Sequence, residues 1–298
     1  MGSSRAFNFA KIARQLAATK EFLSPTKVRV TLPGGFPYEA YNGSASVQPW
    51  SVLRMVEAQR GMAFNSVSAD SLPFLDVHKL YKDYFMFIAA AKTDVFSDLY
   101  NPSIKKGPLY ADVELVNVGN SSFNLRTSFF TVDKDTPLFV NYVQTVVVNN
   151  QSRRPSAPPS WWREKFCSNI ASPGEPLRLP RLNMTEQPLA SDFCVSVPVS
   201  DVDSYLHMNW SNGVKYCYNA YVSYIIKRYG LEGVGDINRD VKNFSASYLR
   251  ECNLGEELRV NLWQSKENEN LFHFQLIKDS SSAVANECSF EFYPQSLS

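Results

Sequence analysis

The residues Asp201-Val202-Asp203-Ser204-Tyr205-Leu206-His207-Met208-Asn209 place two carboxylates, an imidazole and a carboxamide within one short stretch. A carboxylate in an apolar pocket gains proton affinity and becomes a usable general base, and an imidazole beside it can orient the carboxylate or a water, or hold a carbonyl. Asp203, and Glu251 further along the chain, are therefore the candidate bases, with His207 to orient Asp203 or the water or to hold the carbonyl. Directly after residues 201–209 comes Trp210-Ser211-Asn212-Gly213-Val214. The free N–H groups at a helix start are ready donors for negative charge developing on an oxygen. Asn212, Gly213 and Val214 are the candidates for that role, with Gly213 allowing a carbonyl to come close to the backbone. Tyr205 and Asn209 add a phenol and a carboxamide to the same loop and count as further binding candidates. Asp201 is expected to support the site structurally. His273, between Phe272 and Phe274, is expected to face outward.

These groups need a strand and a helix to hold them. Residues 193–199 alternate like a strand, and residues 212–229 form an aromatic, nearly all-round apolar helical run, with Val214, Cys217, Tyr221 and Ile225 on one stripe. Strand-like runs follow at 244–251, 255–263, 271–277 and 283–293. The first half has the same order: a strand at 28–32, a helix over 49–60 opened by Pro49, then strands at 85–95, 109–118, 123–131 and 138–148. Each half thus reads strand, one long helix, four strands. The chain is an internal repeat of a domain-sized α+β unit, a curved antiparallel sheet wrapped around one helix. The boundaries expected are an amino-terminal amphipathic extension over 1–26 with a helix at 7–22, a first domain over 27–150, a proline-rich connector over 151–190 pinned by Trp161 and Trp162, and a second domain over 191–298. Only the second half has an Asp-x-x-x-His spacing, so one site per chain is expected.

Composition narrows the function. The chain has 298 residues, a net charge of +1, 20% charged and 13% aromatic residues. Such a chain can bury a large core, and its charge gives no global pull toward nucleic acid. No run of apolar residues is long enough for a transmembrane helix. Five widely spaced cysteines without CxxC spacing read as reduced thiols of an intracellular protein, and three histidines make a zinc cluster unexpected. The basic amphipathic start fits either a mitochondrial or plastid targeting segment or a helix packed on the first domain or a membrane surface, leaving the cytoplasm and an organelle both open.

The stretch 201–209 resembles the Asp-x-Asp-x-x-x-His-Val-Asn signature of hotdog-fold thioesterases. Tyr248-Leu249-Arg250-Glu251-Cys252 resembles the Tyr-Arg-x-Glu-Cys segment of plant-type acyl-carrier-protein (ACP) thioesterases, and Lys215-Tyr216 fits their Asn-Val-x-Tyr helix start. Ser44-Ala45-Ser46-Val47-Gln48-Pro49-Trp50 is similar to their amino-terminal, degenerate hotdog. The resemblance implies a tandem double hotdog that hydrolyses fatty acyl-ACP or acyl-coenzyme A, needs no metal or organic cofactor, and exists as a monomer or homodimer. Its first half would complete the sheet and form an acyl tunnel. The family's Asp, His and Glu fall on Asp203, His207 and Glu251, the last on the next strand. Cys252 falls on a cysteine of that family, and burial as a small apolar side chain is its expected role here. Tyr205 stands where the family has Asn. Two other readings stay open: an acyl-binding protein without turnover, motivated by Tyr205, and a hotdog hydratase or dehydratase. The latter resemble Asp-x-Asn-Pro-x-His, in which the imidazole is five residues after the carboxylate; here it is four and no proline intervenes.

Overall fold

The computed structural model describes residues 9–68, 71–184, 186–203, 205–230 and 237–294. In chain order the elements are α1 (Phe9–Gln15), β1 (Thr19–Ser24), β2 (Lys27–Leu32), α2 (Pro49–Phe64), α3 (Val77–Leu80), β3 (Tyr84–Val95), β4 (Leu109–Val118), β5 (Ser122–Thr131), β6 (Phe139–Asn149), α4 (Ser160–Phe166), β7 (Ala190–Ser196), α5 (Trp210–Tyr229), β8 (Val241–Tyr248), β9 (Glu257–Gln264), β10 (Leu271–Lys278) and β11 (Ala283–Phe292). They fall into two compact units, Met1–Tyr38 with Arg54–Arg178, and Glu39–Leu53 with Leu179–Ser298. The loop before α2 and that helix's first turn thus group with the second unit, and the connector divides between the two.

In the first unit the strands run β1-β2-β4-β5-β6-β3, every neighbouring pair antiparallel. Burial alternates residue by residue along β6, so one sheet face is apolar and turned inward. Val113, Leu115, Phe123, Leu125 and Val147 on that face pack with Met62, Ala63 and Phe64 of α2. The stretch 7–22 is not one helix. Residues 1–8 lie outside the described residues, α1 ends at Gln15, Ala17 turns into the left-handed region (φ 49°), and residues 19–24 become β1. The lysine that reads as part of a helix's polar face explains the change. Lys20 Nζ donates to the carbonyls of Ala63, Asn65 and Leu72 at 3.2, 2.7 and 2.7 Å, so it closes the carboxyl end of α2, where carbonyls lack helical partners. Burial lowers its pKa to about 8.

In the second unit the order is β8-β11-β10-β9-β7, again antiparallel throughout. Helix α5 touches all five strands. Its stripe Val214, Cys217, Tyr221 and Ile225 is buried as its spacing implies, and Tyr221 stacks on Phe292 with ring centroids 4.7 Å apart. Gly230, at φ 62°, ends the helix and donates its N–H to the Ile226 carbonyl. No helix among the described residues is long and apolar enough to cross a membrane.

The connector is held mainly by one of its two tryptophans. Trp162, on α4, is fully buried, packs on Phe123 and Phe166, and donates its Nε1–H to the Leu75 carbonyl at 2.7 Å. Trp161 is 39% exposed and lies over the Lys79 ammonium. Trp162→Ala should therefore cost about 3–5 kcal/mol, and Trp162→Phe about 1–3 kcal/mol by stranding the Leu75 carbonyl. Trp161→Ala should stay within about 0.5 kcal/mol of wild type. Urea denaturation midpoints of the three variants measure this directly.

Candidate active site

The first carboxylate of the motif is buried and fully employed. Asp201 accepts from Lys215 Nζ at 2.9 and 3.1 Å and from the Tyr216 hydroxyl at 2.8 Å. Its backbone carbonyl accepts the Asn212 amide at 2.7 Å and the Asn209 N–H at 2.8 Å. Burial, then the Asp201 carboxylate, drives the Tyr216 hydroxyl well above its usual pKa, so this phenol is a donor and not a base. Asp201 therefore ties the motif loop to the first turns of α5. Its structural role agrees with the sequence reading; Lys215 and Tyr216 as its partners were not foreseen. The spacing of Asp201 to Lys215 and Tyr216 carries no recognisable signal.

Asp203 stands in the loop itself. Its Oδ1 accepts the backbone N–H of Tyr205 at 2.8 Å and of His207 at 3.3 Å, and its own N–H donates to the His207 carbonyl at 2.8 Å. It thus closes a tight turn in which Leu206 takes a left-handed conformation (φ 63°) and Tyr205 is 61% exposed. The turn presents His207 toward the segment after β8. His207 pairs as an isolated bridge with Asn253, and the Met208 N–H donates to the Cys252 carbonyl at 2.7 Å. His207 Nε2 comes to lie 3.7 Å from a Glu251 carboxylate oxygen, with His207 partly buried and Glu251 exposed. The structure brings His207 and Glu251 together side chain to side chain, and joins Asp203 to His207 through the backbone. Glu251 lies just past the end of β8, not on the strand.

Helix α5 begins at Trp210, earlier than 212, with Asn209 as its N-cap. Asn209 Oδ1 accepts the Ser211 N–H at 3.0 Å and its hydroxyl at 2.7 Å. The Asn212 N–H donates to the Asn209 carbonyl at 2.9 Å. Gly213 is thus the fourth helical residue, past the free donors of the first turn. Asn209, Asn212 and Val214 are buried in structural contacts. Cys252 is buried too, and burial pushes its thiol up to about 11. Sequence reading also missed Asn286 of β11, whose Nδ2 sits 2.2 Å from where a Cβ on Gly213 would be. Its one signal is an amide at a buried position of a strand whose other inward members, Cys288, Phe290 and Phe292, are apolar. Among the described residues no group of three His, Cys, Asp or Glu side chains is placed to hold a metal ion.

No protein-family model and no curated protein sequence matches the chain. Solved structures do. An acyl-ACP thioesterase from Bacteroides thetaiotaomicron is 14% identical, with 95% of this chain and 99% of that one covered and a TM-score of 0.60. A 12:0-ACP thioesterase from Umbellularia californica is 15% identical, with 90% and 98% covered and a TM-score of 0.62. The chain has the tandem hotdog fold, α+β, that these structures share with it.

Two outcomes test the electrostatics of this region. Asp201→Ala leaves the Lys215 ammonium without its main partner and should destabilise the chain by about 3 kcal/mol, read as a shift in the denaturation midpoint. With iodoacetamide at pH 7.5, the exposed Cys194 should label first, and Cys252 more than about 100-fold more slowly, because its thiolate is scarce and buried. Peptide mapping over time gives both rates.

Proposed function

We propose that the second unit hydrolyses fatty acyl thioesters, carried on ACP or coenzyme A, to a free acid and a thiol. The observation that supports this most is the pairing of His207 with Glu251 at 3.7 Å, from segments far apart in sequence, beside the start of the long helix of a hotdog unit. In this reading the Glu251 carboxylate takes a proton from water, whose oxygen attacks the thioester carbonyl carbon. The C–S bond breaks as the intermediate collapses, and the proton passes to the departing thiolate. His207 orients Glu251 and the water. Asp203, with Oδ1 held by two backbone N–H groups, sets the turn that aims His207. Asp203 is thus a positioning residue in this reading, and Glu251 is the base.

A panel of acyl thioesters differing in chain length and carrier tests this, with free thiol released as the readout. Glu251→Gln and His207→Ala should each lower kcat about 10²–10⁴-fold. Asp203→Asn should cost much less, because an Asn Oδ1 accepts the same two N–H bonds and keeps the turn. Full turnover by Glu251→Gln would remove Glu251 from the role. Tyr205 favours a second reading. A solvent-exposed phenol stands where the resembled family has a small amide, which fits a protein that binds acyl chains without cleaving them. Fatty acyl ligand retained through purification, with no thiol released from any member of the panel, is the result that selects this second reading.

A further inference from the structure

The face of β11 that meets α5 is built in layers. Helix α5 packs on this face, and its side chains meet successive inward positions of the strand. Cys217 and Cys288, both buried, face each other closely enough for each thiol to feel the other. Tyr218 and Tyr221 meet Phe290 and Phe292. One step nearer the helix start, Gly213 meets Asn286. Three of these four strand positions are apolar and fill the core. The fourth is an amide, 1% exposed, and among the described residues its Nδ2 has no hydrogen-bond partner.

Two features that each cost stability coincide here. A glycine stands inside a helix, where alanine would be more stable. It is needed because any Cβ at 213 would lie 2.2 Å from Asn286 Nδ2. The amide thus admitted is left without an acceptor, although a leucine of similar size would cost nothing of the kind. The same point in space is 3.7 Å from the Met208 methyl. Met208 follows His207 directly, and its N–H is bonded to the Cys252 carbonyl, next to Glu251. Met208 thus links the two places: its methyl, on an unbranched side chain with three rotatable bonds that is suited to swinging aside, lies by the Gly213–Asn286 contact, and its backbone lies between His207 and the Glu251-Cys252 segment.

We propose that Asn286 is a further catalytic residue: its Nδ2–H donates to the carbonyl oxygen of the bound thioester and holds the negative charge that develops there during attack. This rests on the thioesterase reading above. It supplies, from the sheet, an amide to the site whose motif loop carries Tyr205 in place of Asn. A neutral N–H donor in an apolar wall complements a carbonyl oxygen, and its charge-stabilising effect grows as that oxygen becomes an oxyanion. Met208 covers the donor until the acyl group displaces its methyl.

The test uses the full chain and two non-hydrolysable pantetheine thioethers with the same alkyl tail. Pantetheine is common to ACP and coenzyme A. One analogue carries a ketone near sulfur, and the other has a methylene in its place. Wild type should bind the ketone at least about tenfold tighter, by calorimetry. Asn286→Leu and Asn286→Asp should bind both equally; the second keeps acceptor oxygens and loses the donor. In turnover, Asn286→Leu should lower kcat about 10²–10³-fold with KM within about threefold, and its thermal midpoint should not fall, since it removes an unpaired buried amide. Equal binding of the two analogues by wild type, no binding of either, or a ketone preference kept by both variants overturns the assignment. Absence of turnover by wild type together with a preserved, Asn286-dependent ketone preference would remove the thioesterase reading and leave the donor in place.

Discussion

The buried carboxylate of Asp201 is the constraint on which the candidate site depends. Its two oxygens take Lys215 and Tyr216 from the second turn of α5, and its carbonyl takes Asn209 and Asn212 from the first. A half-buried ammonium and a buried phenol would each cost free energy alone; around one carboxylate they satisfy one another. The result fixes where the loop 201–209 leaves the helix. That anchoring lets Asp203 close its turn, lets the turn set the direction of His207, and lets His207 meet Glu251. Asp201 itself touches none of the reacting groups in the proposed chemistry.

The fold was legible because the two hotdogs obey strong periodicities. Strands such as β6 and β10 alternate in burial, and the Val214, Cys217, Tyr221 and Ile225 stripe of α5 recurs at helical spacing. Element ends were less legible, and each miss has a local cause. The amphipathic pattern over 7–22 hides a break at Ala17, because Lys20 is drawn to the carbonyls that end α2, a tertiary contact outside any local window. Helix α5 starts at Trp210 because Asn209 caps it, two residues before the start at 212 read from the sequence. That shift of two residues moves Gly213 past the free N–H groups. Glu251 stands beyond β8 for a related reason: the backbone there pairs with the motif loop at Cys252 and Asn253 instead of continuing the sheet.

Of the candidate site, Asp203, His207 and Glu251 were legible as residue types at a spacing, but their division of labour was not. Two backbone N–H bonds on one oxygen tie Asp203 into the turn, a contact that residue spacing does not encode. The polar residues around the helix start sort in the same way. Asn209 and Asn212 read in sequence as binding groups and serve as caps and ties. Asn286, unremarkable within its strand, is the amide left without a tie.

That contrast argues for where function resides in this unit. A glycine in the helix costs about 1 kcal/mol relative to alanine, and an unpaired buried amide about 1–3 kcal/mol. Both sums are appreciable against the 5–15 kcal/mol that holds a typical domain folded. The neighbouring layers of α5 on β11, Cys217 on Cys288 and the tyrosines on Phe290 and Phe292, avoid any such loss. A sequence that packs three contacts economically and the fourth at a loss, at the one nearest the start of α5, retains there a donor that the folded chain alone does not use. The unsatisfied hydrogen bond is then the part of the site that awaits its substrate.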